Sequence, residues 1–145
     1  MSGDGLFGEG ATTQAADAAL VEAYRRADRT LDDLPYTEAF VSLYGEVREA
    51  LGGASRAEVF HRLHNLRKAG KLPRLGRASS SPPRLDETHE ALIVELVERE
   101  VGRLSLRDRL IYEPGFDAIV EAFNAETGLG LTHHDAWRVI AKLAK

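Results

Sequence analysis

Cysteine is absent from the 145-residue chain, which removes disulfides, thiolate catalysis and Cys-based zinc or iron–sulfur sites together. Long hydrophobic runs are missing as well. No apolar stretch approaches the roughly 20 residues needed to span a bilayer, so no membrane partner is expected. The start, Met1-Ser-Gly-Asp-Gly, carries no basic region followed by an apolar one; no secretory signal is read, and a cytoplasmic location is expected. Strict alternation of apolar and polar residues over a strand's length is hard to find, which argues against sheet.

What the chain does have is an ordinary globular balance, 43% hydrophobic and 29% charged, with enough apolar side chains to bury a core. The formal net charge of −4 hides a pattern. Residues 1–54 carry four basic and ten acidic side chains, residues 55–85 eight and one, and residues 86–145 seven and twelve. A central basic band between two acidic blocks suits an anionic partner. It equally suits self-complementarity, in which the band only neutralises its acidic neighbours.

Punctuation divides the chain. Residues 1–14 are Gly- and Thr-rich and read as a flexible arm. Residues 76–85 form a linker: Ser79-Ser80-Ser81 offers no packing surface, and Pro82-Pro83 blocks both helix and central strand. Between them apolar residues recur every three or four positions, the helical period. The expected fold is all-α, with a first three-helix unit over 15–75 and a second over 86–145.

The two units repeat one another. Laying 34–52 over 110–128, at an offset of 76, places Leu34 on Leu110, Tyr36 on Tyr112, Phe40 on Phe116 and Gly52 on Gly128. At an offset of 77, Ser55 meets Thr132, Glu58 meets Asp135, and Phe60 meets Trp137. Amphipathic helices share some spacing by chance, but matched tyrosine, aromatic, glycine and cap positions favour a duplication into two tandem units. Ser55 and Thr132 each precede a carboxylate by three positions, the pattern of a capping box, so Glu58 and Asp135 read as structural caps before anything catalytic.

A short Gly-containing connection leading into a well-capped third helix is the layout of helix-turn-helix relatives. The second copy, from Phe116-Asp-Ala-Ile-Val-Glu to Asp135-Ala-Trp-Arg-Val-Ile-Ala-Lys-Leu, resembles the later part of Myb/SANT-like three-helix units. The first, from Ser55-Arg-Ala-Glu-Val-Phe-His-Arg-Leu-His-Asn-Leu-Arg-Lys to Arg77, is similar to a recognition helix running into a winged-helix wing. The resemblance implies DNA binding by third helices, and with it a transcriptional regulator.

Other chemistry finds little support. Gly3-x-Gly5-x-x-Gly8 follows no strand and opens no βαβ unit, so it cannot cradle a phosphate as the dinucleotide fingerprint does. His61 and His64 share a helical face, but His133 and His134 point about 100° apart on a helix. Neither pair reads as a metal site, and no cofactor or enzymatic activity is expected. The candidate site is instead the outward surface of the third helices. If Val59, Phe60, Leu63 and Leu66 face the core, then Glu58, His61, Arg62, Asn65 and Lys68 face out, Arg56 is a further candidate, and Lys71, Arg74 and Arg77 extend the positive face. Arg138, Lys142 and Lys145 are its weaker counterpart in the second unit. The lysines and arginines would neutralise phosphates, while His61, Arg62 or Asn65 would reach base edges. The alternative expectation is an interaction or adaptor domain whose basic band docks an acidic protein surface.

Overall fold

The computed structural model describes residues 2–75 and 81–145, with side chains described from residue 13 onward. Among the described residues the chain is all-helical: α1 (Ser2–Ala27), α2 (Glu38–Val47), α3 (Arg56–Lys68), α4 (Glu87–Val101), α5 (Pro114–Thr127) and α6 (His133–Leu143). A tight helical turn, Leu31–Asp33, precedes α2, and a second, Leu104–Arg109, precedes α5. α1 is helical from Ser2, where an arm over 1–14 was expected. No proline interrupts the chain before Pro35, so the helix that the alanines at 15, 16, 18 and 19 favour meets no breaker of that kind toward its start, although four glycines there are weak helix formers. Residues 76–80 of the 76–85 linker lie outside the described residues; the rest, from Ser81, is non-helical up to Asp86.

Local chemistry sets the helix ends. Thr37 accepts from the Phe40 N–H at 3.2 Å and opens α2. Ser55 accepts from the Glu58 N–H at 3.1 Å, and the Glu58 carboxylate accepts from the Ser55 N–H at 3.0 Å, completing the capping box of α3. These bonds hold the Glu58 carboxyl below the usual range. Asp86 and Thr132 cap α4 and α6 through the His89 and Asp135 N–H groups, at 2.7 and 3.0 Å. α5 stops at Gly128, whose φ of 72° is a left-handed conformation that costs glycine nothing.

The helices bury one continuous core. α1 contributes Ala16, Leu20, Ala23 and Tyr24, the i, i+4, i+7, i+8 stripe of one helical face. Phe40, Leu43 and Val47 of α2 and Val59, Phe60, Leu63 and Leu66 of α3 join them, as do Ile93, Val97, Phe116, Phe123, Trp137 and Ile140 from the second half. The expected inward face of α3 is therefore the buried one. Phe60 and Trp137 are both fully buried and meet edge to face, with ring centroids 6.2 Å apart.

The halves engage each other reciprocally. The first tight turn packs on α6 and the second on α3. At the centre, the Tyr36 N–H donates to the Tyr112 hydroxyl at 2.5 Å, and the Tyr112 N–H donates to the Tyr36 hydroxyl at 2.6 Å. The two rings lie 4.3 Å apart. Both residues hold positive φ, 62° and 60°, a left-handed conformation that costs a side-chain-bearing residue about 1 kcal/mol or more. The exchanged hydrogen bonds and ring contact offset that strain. Burial raises both phenol pKa values, that of Tyr112 to about 12.

Candidate binding surface

α3 carries Arg56, His61, Arg62, Arg67 and Lys68, but most of those side chains already have partners within the chain. Arg62 Nε donates to Asp17 of α1 at 2.7 Å. His61 Nδ1 lies 3.3 Å from the Asp108 carboxylate of the second tight turn. Arg67, which sequence reasoning did not select, reaches Asp32 at 3.4 Å. Arg56 is exposed beside the Tyr44 ring, its guanidinium carbon 5.9 Å from the ring centre. Asn65, Lys68, Lys71 and Arg74 are exposed. Arg77 lies outside the described residues.

The second unit departs further from expectation. Ala136 to Ala141 of α6 are all buried, so this helix is part of the core and not an outward face. Arg138, expected on a nucleic-acid-binding surface, is 8% exposed, its Nε 3.6 Å from Asp33. The cause is the packing of α6 on the first half: Trp137 meets Phe60 and His64, and the first tight turn packs on the helix and brings Asp33 to Arg138. Lys142 lies 4.0 Å from Glu90 and Lys145 3.9 Å from Asp32, both still exposed.

Asp33 is the charged centre that sequence reasoning missed. Its carboxylate is fully buried, accepts from Arg29 at 3.1 Å, and lies 3.1 Å from His134 Nε2 as well as beside Arg138. Two i, i+4 spacings, Arg29–Asp33 and His134–Arg138, were the visible signals, but nothing in either half alone joins them. A carboxylate this deep requires such compensation, because desolvation of an isolated charge costs several kcal/mol. The cluster ties the first tight turn to α6. On α3, burial pushes the His64 imidazole down to about 4, with the Arg67 charge adding to the effect.

Two grooves flank these features. One, of about 570 Å³, lies beside the tyrosine pair and carries charges of both signs from Glu38, Asp117 and Arg56. Another, of about 550 Å³, lies between the end of α1 and the chain leaving α3. Among the described residues, no group of three or more His, Asp or Glu side chains is placed to hold a metal ion. No helix among them is long and apolar enough to cross a membrane. Compared with family models, curated proteins and solved structures, the chain has no significant match.

Proposed function

We propose that the protein is a non-enzymatic binding module that docks an acidic surface of a partner protein through the cationic edge of Lys68, Lys71 and Arg74. The observation that carries this reading is the internal pairing of α3. Two of the three side chains expected to reach base edges, His61 and Arg62, are held by Asp108 and Asp17, while Asn65 stays exposed. A helix entering a DNA groove would bring those carboxylates toward the phosphates, and like charges repel. The buried α6 offers no second recognition helix to follow the duplex. Lys68, Lys71 and Arg74 are exposed and form a short positive edge running from the last turn of α3 into the segment after it, which matches a carboxylate cluster better than a long phosphate line. The reciprocal tyrosine bonds at a separation of 76 residues support a duplicated origin for the two units.

The deciding experiment pairs an electrophoretic shift series on random duplex DNA with binding to immobilised poly-glutamate, both across a range of salt. Binding to poly-glutamate, lost in a Lys71→Glu/Arg74→Glu variant, with no duplex shifted at low salt, is the expected outcome. A duplex shift whose log affinity falls by about 0.9 per neutralised phosphate for each log unit of salt would replace this reading with the DNA one.

A further inference from the structure

α3 ends at Gly70, whose φ of 71° turns the chain sharply, and the Lys71 N–H donates back to the Leu66 carbonyl at 2.9 Å. The segment Lys71-Leu-Pro-Arg-Leu75 then runs opposite the end of α1, leaving the groove of about 550 Å³ between them. Buried Tyr24 and Leu31 contribute to its lining, and half-buried Leu72 and Leu75 line it from the segment itself. Arg67 and exposed Arg74 also line it, with Lys71 in the same segment and Lys68 on the neighbouring turn. Asp32 answers Arg67, yet the surroundings stay net positive.

An apolar interior beneath cations is poorly served by a partner that offers carboxylates alone, because Leu72 and Leu75 would stay partly in water. We infer that the groove takes one bulky apolar side chain from an acidic segment of the partner, whose flanking carboxylates meet Arg74, Lys71 and Lys68. The inference rests on the docking reading above and adds the anchor to it. Charge complementarity sets the flanks and orientation, and burial of the anchor supplies most of the affinity, the division found where a central pocket is rimmed by charge.

Fluorescence anisotropy of the full chain with two short labelled peptides tests it. One peptide sets aspartates and glutamates around a single phenylalanine, and its twin has glycine in that place. The phenylalanine peptide is expected to bind at least about tenfold more tightly, as burial of a phenyl ring in an apolar groove requires. Leu75→Ser, or Leu72→Ser as a second variant, should erase that advantage while circular dichroism stays unchanged, and Arg74→Glu should weaken both peptides. Equal affinity of the two peptides overturns the anchor and leaves the cationic edge standing. Absence of binding by either peptide overturns both ideas. A Leu75→Ser protein that still prefers phenylalanine overturns the placement of the anchor in this groove.

Discussion

Replacing Phe60 by alanine asks whether the two halves are one cooperative unit. The Phe60 ring is fully buried and lies edge-on to Phe40, His64 and Trp137, with centroids 6.0, 4.9 and 6.2 Å away. Deleting a buried phenyl ring costs roughly 3–5 kcal/mol through lost transfer energy and the cavity left behind. Within that sum, each lost edge-to-face contact accounts for about 0.5–1.5 kcal/mol. Against a typical domain stability of about 5–15 kcal/mol this is a large fraction. Trp137 is the only tryptophan and sits in the other half, so its emission reports on residues remote in sequence from the substitution. Denaturant melts followed by tryptophan fluorescence and by far-ultraviolet circular dichroism should shift together and keep coincident midpoints. Two separated transitions, with the tryptophan transition where wild type has it, would show that the halves fold independently. A loss below about 1 kcal/mol would show that Phe60 is not the buried anchor its environment makes it.

Other perturbations probe the remaining contacts. Asp33→Leu should cost roughly 3–5 kcal/mol by removing the carboxylate that Arg29, His134 and Arg138 share, and adding Arg138→Met should restore part of that loss in urea melts; equal losses for the single and double variants would refute the pairing. Tyr112→Phe removes the acceptor of the Tyr36 N–H and should cost about 1–3 kcal/mol, seen also as faster hydrogen exchange at that amide. His64 is neutral in the folded chain, with its pKa lowered from 6.5 to about 4 by burial, so the unfolded chain takes up the proton first as acid is added. Its contribution is intact above pH 6.5 and is lost as the pH falls to about 4, a change of up to about 3 kcal/mol. His64→Leu should flatten the stability profile in that window, and an unchanged slope would refute the assignment.

The local structure was legible because its causes are local. A hydroxyl three residues before a carboxylate and a glycine after an apolar stripe each act within a few residues, so α3 and α6 begin after Ser55 and Thr132 and α5 ends before Gly128. The two tight turns were not legible. Leu31–Asp33 and Leu104–Arg109 are too short for a helical period to show, and each packs on a helix of the other half. The shared core is of the same kind: apolar spacing says which face of α6 turns inward, but it cannot say that residues on both sides of Trp137 are covered too. Arg138 was misplaced for that reason.

Charge is the hardest feature to read along a chain, because Coulomb energy depends on distance in space and not on separation in sequence. Residues 55–85 contain eight basic side chains and one acidic one, which in isolation is a strongly positive band. Folding brings Asp17 to Arg62 across 45 positions and Asp32 to Arg67 across 35. Asp108 comes to His61 from the other half. The acidic blocks on either side thus supply the partners of the band, and the self-complementary expectation holds for the middle of α3. It does not extend to the end of the helix. There Gly70 turns the chain aside and carries Lys71 and Arg74 into solvent around an apolar groove. That positive edge is where the proposed partner's carboxylates would dock.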